Sequence, residues 1–171
     1  MMRSRRTLIN YYKGFTLVEM MVTISIIGIS AAIALPSFLD IILTTKLKTY
    51  TNSLVSATYL ARNEAIKRNT PVTLCVSSDG ISCGSGGWEQ GWIVLSGTTV
   101  VLRQQALSSG YKVIESSGLT NIVFQPAGIG ATQATLTTCR STPTVGRQER
   151  VLSISITGKP SLSITNNGVC A

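Results

Sequence analysis

The longest apolar stretch opens just after Glu19. From Met20 to Leu39 no residue is charged, and about 20 such residues in a helix cross roughly 30 Å of hydrocarbon. Pro36 falls inside the stretch and predicts a helix kink, because it removes one backbone hydrogen bond; Gly28 adds further give. After Asp40 the pattern changes. Leu43, Leu47, Tyr50, Leu54, Ala57, Ala61 and Ala65 recur at spacings of three and four, one face of a helix. Thr45, Lys48, Asn52, Ser56, Asn63 and Lys67 mark the opposite, polar face. Lys67 and Arg68 suit a helix C-terminus, and Pro71 stops continuation. One helix is therefore expected from about Phe15 to about Asn69.

Beyond Pro71 the period shortens. Val72–Val76, Trp92–Leu95, Thr99–Leu102, Tyr111–Ile114, Asn121–Phe124 and Ala134–Leu136 are short, β-branched and bounded by Gly, Ser or Asn. Val151–Ile156, with apolar residues at 152, 154 and 156, pairs through a Gly158-Lys159-Pro160 turn with a strand holding Leu162 and Ile164. Residues 141–149 read as a mobile loop. The expected fold is α+β: a long N-terminal helix packed by its second half on a C-terminal antiparallel β-sheet or sandwich. The parts are a leader at 1–14, an apolar helix at 15–39, its amphipathic continuation at 40–70 and a β-rich domain at 71–171.

Charge changes the picture at the N-terminus. Of the +8 formal charge, Arg3, Arg5, Arg6 and Lys13 lie in residues 1–14 with no acid among them. From residue 71 onward six cations face four acids, so the β domain is only mildly basic. Four cations before the apolar run, with Lys46 and Lys48 after it, leave the N-terminus in the cytoplasm and the remainder outside the inner membrane. Mean hydropathy is +0.30, to which the run contributes much.

Composition removes several chemistries. There is no histidine, so Ser/His/Asp and Cys/His nucleophiles and histidine metal sites are excluded. Asp79, Glu89, Glu115 and Glu149 form no pair with acid/base spacing. No enzyme and no cofactor is expected. Cys75, Cys83, Cys139 and Cys170 include no C-x-x-C. In an exported domain they read as disulfides with three possible pairings. Cys75–Cys83, closing a short loop, and Cys139–Cys170, tethering the C-terminus, form the favoured set; the sequence leaves the others open. Trp88 and Trp92 flank Glu89-Gln90-Gly91. They offer a protein-contact surface, or, for Trp92 at least, a core position at a strand start.

Lys13-Gly14-Phe15-Thr16-Leu17-Val18-Glu19, followed by the apolar run, resembles the processing site of type IV pilins and type II secretion pseudopilins. The resemblance implies a prepilin peptidase that cuts between Gly14 and Phe15 and N-methylates Phe15. It also implies other major and minor pilins or pseudopilins, an inner-membrane assembly platform, and inner-membrane lipid as partners. Pro36 matches a proline common in such helices. Ala61-Arg62-Asn63-Glu64-Ala65-Ile66, Trp88-Glu89-Gln90-Gly91-Trp92 and Ile122-Val123-Phe124-Gln125-Pro126-Ala127-Gly128 resemble the GspH/FimT-type minor pseudopilins. So do Gly158 in a late turn and the cysteine near the C-terminus. That implies a subunit at or near the tip of a pseudopilus or pilus, supporting filament assembly and protein secretion.

Glu19 has a physical role within that frame. A charged group at the centre of a bilayer costs about 2.5–3.5 kcal/mol on insertion scales. Cleavage creates an ammonium on Phe15 that answers this carboxylate, in the same subunit or a neighbour. A rival for the N-terminus is a secretory signal ending at Ala32-Ile33-Ala34, with a mature protein starting near Leu35; the run is long for such a signal and Glu19 interrupts its start. A second task is DNA uptake. Arg140, Arg147, Arg150 and Lys159 form a basic group suited to phosphates. Some FimT-type relatives carry G-R-x-R; here Gly146-Arg147-Gln148-Glu149-Arg150 puts an acid at the second arginine.

Overall fold

A computed structural model describes residues 14–142 and 148–170. The chain divides into two compact units, Met1–Ile41 and Ile42–Ala171. Helix α1, Leu17–Arg68, contributes to both and is assigned without interruption through Pro36.

In the first unit every described side chain from Leu17 to Ile41 is exposed. Among the described residues Met21, Ile24, Ile27 and Ile33 are each at least 63% exposed. The hydroxyls within the run are satisfied by the helix itself. Thr23 Oγ1 donates to the Met20 carbonyl at 2.9 Å and Ser25 Oγ to the Met21 carbonyl at 2.8 Å. No polar side-chain donor of these two residues then needs water, which suits them to hydrocarbon or to a helix bundle.

In the second unit α1 buries a narrow stripe: Leu47, Leu54, Ala57, Ala61 and Ala65 are at most 4% exposed. Thr51 and Thr58 share the stripe, their hydroxyls returned to the carbonyls of Leu47 and Leu54 at 2.9 Å. Three alanines in succession let the sheets approach the helix backbone closely. The helix ends in a Schellman motif. Asn69 adopts φ 52°, its N–H reaches the Ile66 carbonyl and the Thr70 N–H reaches the Ala65 carbonyl.

Eight strands follow: β1 Val72–Val76, β2 Trp92–Ser96, β3 Thr99–Gln104, β4 Tyr111–Glu115, β5 Asn121–Phe124, β6 Ala134–Arg140, β7 Glu149–Ile154 and β8 Pro160–Thr165. They form two antiparallel four-stranded sheets, β3-β2-β1-β5 and β4-β6-β7-β8. The core joins the helix stripe to Val72, Leu74, Val76, Trp92, Val94, Ile122 and Phe124 of the first sheet. From the second it takes Val113, Ala134, Leu136, Leu152 and Ile154.

The strand ends differ from expectation in one region. β6 runs past Leu136 to Arg140, since Thr137, Thr138 and Cys139 are buried and pair onward with β4 and β7. β7 starts at Glu149, which the pattern placed in a loop, and stops at Ile154; Ile156 lies in the following turn, 49% exposed. Pro160 opens β8 opposite Ile154 instead of closing the turn. The first position of an edge strand tolerates the missing N–H.

Candidate processing and assembly site

The α1 N-terminus is closed by a reciprocal capping box. The Glu19 N–H donates to Thr16 Oγ1 at 3.2 Å, and the Thr16 N–H donates to Glu19 Oε2 at 3.4 Å. Thr-x-x-Glu satisfies two of the N–H groups that a helix start leaves without partners. The sequence reading assigned Glu19 to charge pairing alone; the spacing Thr16–Glu19 was the available signal for this second role. The carboxylate is therefore held at the helix start beside Gly14 and Phe15, and Phe15 is 77% exposed. A Cβ on Gly14 would meet nothing within 4 Å, and its φ lies outside the left-handed region. The chain's own conformation does not require glycine there. Lys13 and the leader cations lie outside the described residues.

The cysteines are paired Cys75–Cys83 and Cys139–Cys170, with Cα atoms 5.5 Å and 6.0 Å apart. Asp79 organises the loop inside the first. It accepts from the N–H groups of Ile81 and Ser82 and from the hydroxyls of Ser77 and Ser82 at 2.7–3.0 Å. The Ser82 N–H heads the interactions that hold its carboxyl well below the usual carboxylate range. Near the second, the Cys170 N–H donates to Glu149 Oε1 at 3.3 Å.

Of the basic group, three members lie among the described residues. Arg140 is 5% exposed within β6, Arg150 is half-buried and Lys159 is exposed; Arg147 lies outside the described residues. Arg140 is thus removed from the nucleic-acid surface proposed on charge alone, and Glu149, 2% exposed, is not a solvated counter-charge. The tryptophans form no contact surface either. Trp92 is fully buried, and Trp88 is 2% exposed with Nε1 donating to the Leu119 carbonyl at 2.8 Å.

Glu115 ties the end of β4 to the loop that follows it and to β6. Burial raises its pKa. Hydrogen bonds from the N–H groups of Leu119, Ser117 and Thr135, and from Ser116 Oγ, outweigh that and leave it lowered. The backbone contacts measure 2.7–3.2 Å.

A capped, wholly exposed apolar helix leading into an α-on-β domain with two disulfides defines a pilin-like subunit. Residues 9–35 match the prokaryotic N-terminal methylation motif, and residues 50–158, more than half of the chain, match the Type II transport protein GspH family. The chain belongs to the GspH family of type II transport proteins and carries the prokaryotic N-terminal methylation motif.

Its fold resembles that of the type IV minor pilin FimU of Pseudomonas aeruginosa PAO1, with a TM-score of 0.58 and 20% identity, over 75% of this chain and 97% of that one. Over 33 residues it is 64% identical to a fimbrial protein of Moraxella nonliquefaciens and to a type IV major alpha-pilin of Moraxella bovis. Those matches take in 19% of this chain and 21% of each relative, so the chain spans about a fifth of the length of the curated relatives it matches.

Proposed function

We propose that this chain is a minor filament subunit made as a prepilin. It waits in the inner membrane with its N-terminus cytoplasmic and its β domain periplasmic, and it joins the tip region of a pseudopilus or pilus to support assembly and secretion. The carrying observation is the combination at the α1 start. Gly14 has no structural reason to be glycine, Phe15 is exposed, and a capped apolar helix begins two residues later. A residue that the fold does not need but the motif demands fits recognition by another protein, here a prepilin peptidase and N-methyltransferase.

After a cut between Gly14 and Phe15, the new ammonium would lie four residues before Glu19. Pairing with Glu19 in the same subunit or a neighbour offsets the cost of carrying the carboxylate out of water. The helix, whose described side chains between Leu17 and Ile41 are all exposed, then exchanges lipid for other pilins and the assembly platform.

Mass measurement of the mature protein tests the processing. A chain beginning at N-methylated Phe15 is expected; one beginning near Leu35, or retaining residues 1–14, overturns it. Glu19→Gln is expected to be cleaved normally and to enter filaments poorly. Normal incorporation would sink the charge pairing.

A further inference from the structure

The last turns of α1 and two loops of the β domain form an apolar patch that the second unit leaves open. Tyr59 and Ile66, seven residues apart on one helix stripe, are 44% and 45% exposed. Ile129, in the loop between β5 and β6, is 58% exposed, and Ile156, in the turn between β7 and β8, is 49% exposed. Arg62 ties them together. Its Nε donates to the Thr157 carbonyl at 2.8 Å. A Cβ on Gly128 would lie 3.7 Å from Ile66 Cδ1 and 3.8 Å from Arg62 Nη2. The two loops are joined by the Ala131 N–H donating to the Ile156 carbonyl at 2.9 Å. Gly158, at φ +69°, would place a Cβ 3.0 Å from the Phe124 ring and 3.2 Å from Arg62 Cδ. The surface is therefore built on packed backbone.

Its rim is positive. The Lys67 and Arg68 side chains are 79% and 44% exposed, and Lys159 is exposed. The acid among them, Glu64, is already engaged by both Lys67 and Arg68. Among the described acids of the second unit other than Glu64, Glu115 and Glu149 are buried, Asp79 is exposed but hydrogen-bonded within its own loop, and Glu89 is half-buried, so its β domain offers at most these two carboxylates to the basic rim. A second copy is therefore a poor occupant.

Acyl chains would cover the isoleucines but leave the Arg62 guanidinium, whose Nε is engaged by the neutral Thr157 carbonyl, without a counter-charge. A nucleic acid would meet apolar groups at the centre of its footprint. We infer that the patch docks a different protein chain presenting an apolar knob ringed by carboxylates, which, on the function proposed above, is a neighbouring filament subunit. Tyr and Arg at the centre are residue types that anchor interfaces, and the charged rim selects the partner.

The test uses the full chain in cells that produce its filament, with p-benzoylphenylalanine replacing Tyr59 and, as a control, exposed Lys112. An adduct to a different protein, cross-linked within an acidic segment, is expected at 59 and not at 112. Lys67→Glu with Arg68→Glu should lower its yield about tenfold. Ile129→Asp, which leaves the helix untouched, should do the same, both with unchanged thermal melting. Adducts only to a second copy, to lipid or to nucleic acid, or none above the control, overturn the inference. If those results come with normal processing and filament entry, the patch alone is refuted. If the wild-type chain never enters a filament, the proposed function fails instead.

Discussion

Two segments of one helix meet opposite demands. Between Leu17 and Ile41 every described side chain is exposed and most are apolar. Between Ile42 and Arg68 a stripe of Leu and Ala is buried to 4% or less, with lysines and asparagines opposite. Helix propensity does not separate the segments, since both form α1. The difference lies in who supplies the covering surface. The second segment is covered by its own sheets. The first must be covered from outside, by lipid or by other chains, so its side chains add little to the stability of the β domain.

The largest effect that would break this contrast is a core deletion. Phe124 is 1% exposed in β5, in the core that α1 shares, and Phe124→Ala should cost about 3–5 kcal/mol. Ile27→Ala, at a position 66% exposed, should change the same unfolding transition by less than about 0.5 kcal/mol. The transition can be followed by the fluorescence of Trp88 and Trp92, both in the second unit, on the full chain in detergent. A comparable loss for Ile27→Ala would show that the two segments stabilise each other.

Disulfide removal ranks next and orders the second unit internally. The sequence separations are 31 residues for Cys139–Cys170 and 8 for Cys75–Cys83. Chain-entropy arguments give about 3–4 kcal/mol for replacing the longer pair by serine and about 2–3 for the shorter. Denaturant midpoints of the two double variants check the ranking.

Acid sharpens the contrast further. The Glu115 carboxyl is lowered from its ordinary value of 4.5 by its hydrogen bonds, despite burial. A folded-state pKa below the unfolded one gives stability that is complete above about pH 4.5 and is lost as pH falls through the folded value. The second unit should weaken below that pH. Glu115→Gln, costing about 1–3 kcal/mol at neutral pH, should flatten the dependence. An unchanged acid limb in the variant would assign the loss to Asp79 or Glu64, whose carboxyls are lowered in the same direction.

The helix stripe and all eight strands were legible because their periods are clean. Leu47, Leu54, Ala57, Ala61 and Ala65 bury as their spacing implies. Legibility failed between Leu136 and Pro160. Thr137, Thr138, Arg140 and Glu149 are polar, yet ladder pairing and the Cys139–Cys170 link draw most of that stretch into the sheet. Polar residues buried by register leave no signal in a hydropathy pattern. The burial of Arg140 was hidden for the same reason, since charge counts do not say which arginine lies inside a strand. The capping box was legible as Thr-x-x-Glu and was hidden by the more conspicuous charge of Glu19.

That double role of Glu19 yields the smallest and most discriminating expectation. Glutamine can still complete a capping box, so Glu19→Gln removes the charge and keeps the cap. Thr16→Ala does the reverse: it deletes the hydroxyl that accepts from the Glu19 N–H and keeps the carboxylate. Its cost is about 1 kcal/mol, confined to the first turn. Amide exchange of residues 17–20 in micelles should quicken roughly fivefold, while the tryptophan-monitored transition stays put. If assembly depends on charge, Thr16→Ala enters filaments nearly as well as wild type and Glu19→Gln does not. If Thr16→Ala fails and Glu19→Gln enters filaments normally, Glu19 serves by shaping the helix start, and the pairing with the Phe15 ammonium loses its support.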